Sequence, residues 1–293
     1  MTHHRHLIVV QTGPLATVQD LGRSGYAHLG VPVSGGADRG SLTLANRLVG
    51  NPESAAVIET TLGGLHIRLH CDVLIAVTGA RAQVHVDGIP VGTDAALPVS
   101  HGSEVIIGSP TRGCRNYLAV RGGIGVPPVL GSRSTDVLSE LGPTGLRSGM
   151  ELPVGKPTGD WPAASSAPRA TADDDVTELE VTDGPRRDHV QTPGHLIRGV
   201  WEVGADSNRV GVRLSRPADC DDPLVVHRSG AGELASEGIP HGAVQIPPSG
   251  RPVLFLADHP VTGGYPVVAV LTADAVDRAA QLVAGDRVRF RAR

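Results

Sequence analysis

Short apolar runs that are broken by glycine and proline restrict the fold of this chain more than any other feature. The 293 residues include 38 Gly and 23 Pro. Val73–Thr78, Glu104–Ile107 and Tyr117–Val120 are too short for helices and are rich in residues that favour strands. Asp87-Gly88 separates two such runs and is typical of a two-residue hairpin turn. We therefore predict a mainly β protein with a few short helices.

Two helices interrupt this pattern. The first begins after Asp38, which can cap it, and ends at Gly50, with its apolar residues on one side. The second is predicted over Ala273–Ala284. On the run Leu65–Leu69, apolar residues alternate with His66 and Arg68, so we expect a strand with one outward polar face rather than a metal site at the histidines.

The composition changes between residues 155 and 175, where Pro, Ala, Ser and Asp replace the apolar runs. The chain is long enough for two domains. We expect an N-terminal β-barrel-like domain over residues 1–157, a linker over 158–175 and a C-terminal β-barrel domain over 176–293.

Charge and lysine content exclude several classes of function. The net charge is −4 and only 2% of the residues are aromatic, which argues against binding of nucleic acid. Lys156 is the only lysine in the sequence, and it lies in no P-loop or biotin-acceptor pattern. Chemistry with ATP or biotin must therefore involve another polypeptide or a site built from arginine, whose planar guanidinium binds carboxylates and phosphates well.

The cysteines and the N-terminal run indicate location. Cys71, Cys114 and Cys220 are odd in number and far apart, which suits a reducing compartment and excludes a four-thiolate zinc site. The apolar run Leu7–Val10 is too short for a signal peptide or a membrane span. We expect a cytoplasmic protein that contacts no membrane and holds no metal.

One non-periodic segment near the N-terminus, Gln19–Asp38, concentrates glycine, proline, serine and charged residues. Irregular backbone of this kind often displays binding groups. The segment ends at the predicted N-terminus of the first helix, where an anion near Ser34–Gly36 is favourable. The alternative is that Ser34 and Asp38 only cap that helix.

Other segments place Arg, Asp or a hydroxyl beside Gly or Pro at the end of a strand. Taken singly, each is also compatible with an ordinary turn. The run Gly131–Thr135 offers hydroxyls, main-chain donors and a guanidinium together, which suits a carboxylate or phosphoryl oxygen. These segments are Arg121–Gly123, Gly131–Asp136, Gln245–Gly250 and Asp258–Pro266.

The same segments, in the same order, give the chain a resemblance that spans nearly its whole length. It resembles the biotin-dependent carboxyltransferase family, which includes KipA-like proteins, allophanate hydrolase subunit 2 and the C subunit of 5-oxoprolinase. The motifs that carry the resemblance are Gln19–Gly25, Gly30–Asp38, Asn46, Val49–Asn51, Arg121–Gly123, Gly131–Thr135, Ser236–Gly238, Gln245–Gly250, Thr262–Pro266 and Gly285–Phe290.

The resemblance implies two barrel-like domains, at least one of them cyclophilin-like. It also implies the C subunit of an ATP-dependent 5-oxoprolinase, which opens 5-oxoproline to glutamate together with a B subunit that is KipI-like and an A subunit that is LamB/YcsF-like. Such a chain is not catalytically complete alone and carries no covalent cofactor, while ATP is used by the complex. One alternative is a KipA-type regulator that binds a KipI-like kinase inhibitor. Another is a carboxyltransferase subunit that uses biotin on a separate carrier to carboxylate urea or an amide.

The resemblance and the composition of these loops together give candidate site residues. We expect arginines to hold a carboxylate or a phosphorylated lactam oxygen, and aspartates to orient a proton or water. The candidate catalytic residues are Arg23, Asp38, Arg121, Arg133 and Asp258. The candidate substrate-binding residues are Asp20, Ser34, Gly35, Asn46, Ser132, Thr135, Gln245, Thr262, Gly263, Gly264 and Tyr265.

Overall fold

A computed structural model describes residues 5–168, 175–230 and 232–293. The chain divides into two compact units. The first consists of the described residues of Met1–Arg23, Ser34–Asp136 and Glu140–Thr171, and the second of those of Ser24–Val33, Val137–Ser139 and Ala172–Arg293. The predicted linker, 158–175, includes residues 169–174, which lie outside the described residues. The predicted domain limits therefore stay a prediction.

The first unit is built on a curled sheet of nine strands. Its strands are antiparallel in the order β2-β3-β8-β4-β1-β9, and β5 pairs with β6, β7 and β8. Their bounds are β1 His6–Thr12, β2 Leu15–Gln19, β3 Val57–Thr61, β4 Leu65–Leu69, β5 Val73–Val86, β6 Ile89–Val91, β7 Ala96–Val99, β8 Glu104–Val120 and β9 Glu151–Pro153.

Strand β4 confirms the alternation that the sequence predicts. Leu65, Ile67 and Leu69 are fully buried, while Arg68 is exposed. His66 Nε2 lies 3.0 Å from the carboxylate of Glu104. The outward face of the strand thus carries a polar contact.

The short strands predicted at 73–78, 104–107 and 117–120 are parts of two long strands. β5 and β8 pair along most of their length, and their register shifts at Gly79/Arg81, Arg81/Ala82 and Ala82/Val84. Bulges of this kind let a strand bend without ending its pairing, so polar and glycine residues that look like breaks lie inside continuous strands. The turn at Asp87-Gly88 is confirmed: both residues have positive φ, 51° and 78°, as this hairpin turn requires.

The first predicted helix is confirmed as α1, Arg39–Leu48, and its N-cap Asp38 accepts a hydrogen bond from the Ser41 N–H at 2.8 Å. A short helix, α2, spans Gly194–Ile197. The second predicted helix is α3, which ends earlier than predicted, at Ala273–Ala279. Beyond it the chain turns, and the Gly285 N–H donates to Val203, so the residues before Gly285 leave the helix for a turn.

The second unit contains a closed barrel in the order β10-β17-β14-β15-β12-β11-β18, which closes through the parallel pair β10 and β18. A separate pair joins β13 to β16. The strands are β10 Val176–Asp183, β11 Trp201–Val203, β12 Gly211–Ser215, β13 Glu237–Gly238, β14 Ala243–Gln245, β15 Val253–Phe255, β16 Thr262–Gly263, β17 Val267–Leu271 and β18 Arg287–Ala292. The mainly β prediction with barrel-like domains is confirmed.

Each unit encloses its own apolar core of Val, Leu and Ile. In the barrel, Trp201 is fully buried, and its indole N–H donates to the Leu196 carbonyl at 2.9 Å. Among the helices in the described ranges, none is long and apolar enough to span a bilayer.

Candidate functional site

Asp20 joins two loops of the first unit that the sequence marks separately. Its buried carboxylate accepts hydrogen bonds from the N–H groups of Gly22 (2.8 Å) and Arg133 (2.6 Å) and from the hydroxyls of Ser132 (2.6 Å) and Ser134 (2.6 Å). Charge-assisted bonds of this length are strong. Asp20 and Ser132 therefore fix the loops to each other, a structural role that differs from the substrate contacts predicted for them.

Arg23 lies beside this junction and is almost completely buried, with 2% of its surface exposed. One nitrogen, Nη2, donates to the Ser134 carbonyl. The Nε and Nη1 atoms are buried and have no hydrogen-bond partner among the described residues. Because a buried charge that no opposite charge compensates costs several kcal/mol, this side chain is suited to hold an anion.

Two more buried polar atoms without a partner among the described residues belong to Gln19, the last residue of β2, and to Thr135. Gln19 donates through Nε2 to the Thr135 carbonyl at 2.8 Å, while its Oε1 has no partner among the described residues. The hydroxyl of Thr135 also has none. We call Gln19, Arg23 and Thr135 the Arg23 cluster. Sequence reasoning found Arg23 and Thr135 but missed Gln19.

Ser34 and Gly35 follow the cluster with positive φ angles of 56° and 98°. The Ser34 hydroxyl donates to the Thr135 carbonyl at 3.3 Å. A Cβ at Gly35 would lie 3.0 Å from the carbonyl oxygen of Asp20, so only glycine fits this close approach. Both residues shape the loop around the cluster.

A buried network that sequence reasoning missed supports the same loop. Glu59 accepts from the Ala37 N–H and from the Tyr117 hydroxyl, both at 2.9 Å. The Tyr117 hydroxyl in turn accepts from the Asp38 N–H at 2.8 Å. Burial, with the charges of Glu59 and Asp38, raises the pKa of Tyr117 well above its usual value, which keeps it a neutral donor. The sequence signal for this network is the acidic residue at the centre of β3, whose other residues are uncharged.

The N-terminus of α1 carries the cap that the alternative interpretation of Asp38 describes. The Asp38 carboxylate accepts from the Ser41 N–H at 2.8 Å and from the Ser41 hydroxyl at 2.6 Å. These bonds stabilise the first turn of the helix. The predicted catalytic role of Asp38 stays a prediction, and the cap is the role with a visible partner.

Arg121 and Asn46 hold the other end of α1. Arg121 donates to the carbonyls of Val49 and Gly159, both at 2.7 Å. Asn46 is fully buried and donates to the Ala55 carbonyl at 2.8 Å. Their polar groups thus serve main-chain carbonyls, and we leave both residues out of the candidate site.

Arg133 is half-buried, and its Nε donates to the Val126 carbonyl at 2.7 Å. Val126 also lines a mostly apolar cavity of about 290 Å³ in the first unit, together with Val18, Gly142, Leu146, Met150 and Leu152. A Cβ built on Gly142 would lie 2.9 Å from Arg23 Nη2. The cavity therefore has the cationic Arg23 next to its Gly142 wall.

In the second unit, the predicted catalytic residue Asp258 is fully buried in an ion pair. Arg209, 1% exposed, donates from Nε to Oδ2 at 2.8 Å and from Nη2 to Oδ1 at 3.0 Å. The Val137 N–H donates to the same carboxylate at 3.1 Å. These contacts give Asp258 a structural partner that the sequence did not reveal.

The remaining predicted residues also belong to the second unit. Gln245 donates through Nε2 to the Tyr265 carbonyl at 2.8 Å. Thr262 and Gly263 form β16, and a Cβ at Gly263 would lie 2.6 Å from the side chain of Ile239. Gly264 follows, and the Tyr265 side chain is about half exposed. Their predicted contacts with substrate stay a prediction.

No group of three or more His, Cys, Asp or Glu residues that could hold a metal ion occurs within the described ranges. The candidate site therefore rests on the Arg23 cluster, which offers charged donors, an amide acceptor and a hydroxyl. Such a set is suited to bind a small polar anion and contains no activated nucleophile.

Comparison with known proteins gives the chain a family. It is 33% identical over 287 residues to the C subunit of 5-oxoprolinase from Escherichia coli K12, a match that covers 97% of this chain and 90% of that protein. It is also 33% identical to urea amidolyase of Lachancea kluyveri over 96% of this chain, but that match covers only 16% of the larger protein.

The fold also matches a solved structure over nearly the whole of this chain. The K. lactis urea amidolyase superposes with a TM-score of 0.88 and 30% identity, over 99% of this chain and 19% of that one. Residues 29–292 match the family described as carboxyltransferase domain, subdomain A and B. This chain belongs to the carboxyltransferase domain family.

Proposed function

We propose that this chain is the C subunit of an ATP-dependent 5-oxoprolinase. The observation that carries the proposal is the match to the corresponding E. coli subunit over 90% of that protein's length, whereas the urea amidolyase of L. kluyveri is matched over 16% of its length. A match along nearly the whole of both chains supports the same role in a complex, while a match to a small part of a larger enzyme supports a shared domain.

The residue content of the chain supports a subunit that is incomplete alone. Lys156 is the only lysine and stands between Gly155 and Pro157, outside any P-loop pattern. ATP is then bound by the complex. We propose two partners in the cytoplasm, a B subunit that is KipI-like and an A subunit that is LamB/YcsF-like, with no covalent cofactor on this chain.

The substrate, 5-oxoproline, is a lactam with a carboxylate, and the reaction opens the lactam amide to give glutamate. Arg23 is the buried cation that we assign to the substrate anion, because its Nε and Nη1 have no partner among the described residues. Arg133 is the second guanidinium on the same loops and is half-buried. We assign it to charge that develops on the lactam oxygen.

The test is reconstitution of the three subunits with purified components. ADP and glutamate are measured after addition of 5-oxoproline and ATP, and each component is omitted in turn. We expect turnover only when this chain and both partners are present. Turnover that is equal without this chain, or absent from the full mixture, would refute the proposal.

A carboxyltransferase role is the second candidate, and the fold match to urea amidolyase favours it. In that case biotin on a separate carrier delivers a carboxyl group to urea or an amide. The chain is incubated with a biotinylated carrier that has been charged with labelled bicarbonate. Transfer of label to urea would support this role, and transfer that does not depend on the chain would exclude it.

A further inference from the structure

The Arg23 cluster combines buried hydrogen-bond donors with buried acceptors. Two of its side chains are held by the carbonyls of consecutive residues. Arg23 is anchored to the Ser134 carbonyl, and Gln19 to the Thr135 carbonyl at 2.8 Å. The atoms that remain without a partner among the described residues are two guanidinium nitrogens, one amide oxygen and one hydroxyl oxygen. We propose that the Arg23 cluster is a binding subsite for a small carboxylate that carries an N–H donor next to the carboxylate.

The orientation of the Gln19 amide is determined by its neighbours. Its Nε2 donates both to the Thr135 carbonyl and to the Thr17 hydroxyl, which lies 3.0 Å away. A flipped amide would place its oxygen against the Thr135 carbonyl, where two acceptors repel. Oε1 is therefore the free end, and it accepts a hydrogen bond from a ligand.

The charge of Arg23 has no counter-ion within the described part of the first unit. Asp20 is close in sequence, but its carboxylate is engaged by Gly22, Ser132, Arg133 and Ser134. By contrast, the equally buried Arg209 has Asp258 at 2.8 Å. Water can satisfy the N–H groups but does not neutralise the charge. An anion is therefore the occupant that offsets the free-energy cost of burying this charge.

The donor and acceptor set selects the ligand class. Arg23 binds the carboxylate oxygens, Gln19 Oε1 accepts from the adjacent N–H, and the Thr135 hydroxyl adds one further bond. A carboxylate with no donor beside it would leave Gln19 Oε1 without a hydrogen bond. The identification of this ligand as 5-oxoproline, whose ring N–H adjoins the carboxylate-bearing carbon, rests on the proposed function.

The first experiment is calorimetric titration of the full chain with 5-oxoproline and three probes. Pyrrolidone lacks the carboxylate, the lactone analogue lacks the N–H, and inorganic phosphate tests a simple anion. We expect each change to weaken binding by about tenfold or more. Equal binding of pyrrolidone, of the lactone or of phosphate would overturn the proposal, as would no binding of 5-oxoproline.

The second experiment uses variants that separate binding from folding. Thr135→Val removes a hydroxyl with no partner among the described residues, so the urea midpoint should be unchanged or higher, while binding falls about fivefold. Thr60→Val is the matched control, because the buried Thr60 hydroxyl donates to the Gly63 carbonyl at 3.3 Å. It should lower the urea midpoint and leave binding unchanged. Arg23→Lys keeps the charge and loses the fork, and it should weaken binding more than Thr135→Val.

The outcomes distinguish this proposal from the proposed function. If the three-subunit complex hydrolyses 5-oxoproline with a KM that is unchanged in Thr135→Val and Arg23→Lys, the subsite is wrong and the function stands. If the full chain binds N–H-bearing carboxylates in an Arg23-dependent way but the complex does not hydrolyse 5-oxoproline, the subsite stands and the function is wrong.

Discussion

The ion pair between Arg209 and Asp258 offers a sharp test of whether Asp258 is structural or catalytic. Both side chains are almost fully buried, and two bonds of 2.8 and 3.0 Å join them. Asp258→Asn preserves the shape of the side chain but removes its charge. The buried guanidinium of Arg209 then loses its attraction to this carboxylate, and an amide N–H faces one of its donors.

The magnitude follows from these contacts. Removing one partner of a buried, hydrogen-bonded ion pair typically costs about 3–5 kcal/mol. Loss of one charge-assisted bond accounts for about 1.5–3 kcal/mol of this, and the weaker attraction between Arg209 and an uncharged side chain accounts for the rest. We expect Asp258→Asn to lower the free energy of unfolding of the second unit by that amount. Replacing both residues by Leu and Met should cost less than the two single changes together.

Urea unfolding followed by Trp201 fluorescence measures the effect. Trp201 is fully buried in the barrel, whereas Trp161 is 73% exposed, so the measurement is made in a Trp161→Phe background. Asp219→Asn is the control, because Asp219 pairs with Arg287 at 2.9 Å on the surface, where screening makes such pairs weak. If Asp258→Asn changes the unfolding free energy by less than about 1 kcal/mol, the structural interpretation is wrong.

Three further predictions concern other contacts. Gly142→Ala should destabilise the chain more than Gly149→Ala. Both glycines have positive φ (87° and 84°), which costs an alanine about 1–2 kcal/mol. Only at Gly142 would a Cβ also clash with a carbonyl oxygen, that of Ser134. Urea midpoints of the two variants test this. Arg186 lowers the pKa of Glu237 below its usual 4.5. The stabilisation of the fold by this ion pair is therefore present above pH 4.5 and is lost as the pH falls through the lowered pKa. Arg186→Gln should raise the pKa of Glu237 in an NMR titration. Asp20→Asn leaves a main-chain N–H facing an amide donor and should cost about 2–4 kcal/mol, with faster hydrogen exchange in the loop that Asp20 holds.

Local patterns predicted the elements whose causes are local. The alternation of β4, the cap at Asp38 and the turn at Asp87-Gly88 each depend on residues within a few positions of one another. The lengths of β5 and β8 do not. They pair with each other through bulges, and a polar residue or glycine in one strand is tolerated because the partner strand continues past it.

In the candidate site too, the sequence indicates the residue types but not the partners that they contact. Composition marked the loops around Asp20 and Ser134 as polar and glycine-rich, but the bonds between these residues span 114 positions. No spacing rule predicts that one aspartate organises the second loop. Arg209 and Asp258 lie 49 positions apart, so the sequence does not indicate that they pair, and Asp258 alone is a candidate catalytic residue.

Partners, rather than residue types, therefore decide which arginine of this chain is available for chemistry. The sequence offers 26 basic residues, almost all arginine, and the fold gives the buried ones different surroundings. Arg121 is saturated by main-chain carbonyls, and Arg209 is neutralised by Asp258. Arg23 shares their burial but keeps two donors without a partner among the described residues. Burial of this charge works against stability, so the position of Arg23 is explained by what it binds rather than by what it contributes to the fold.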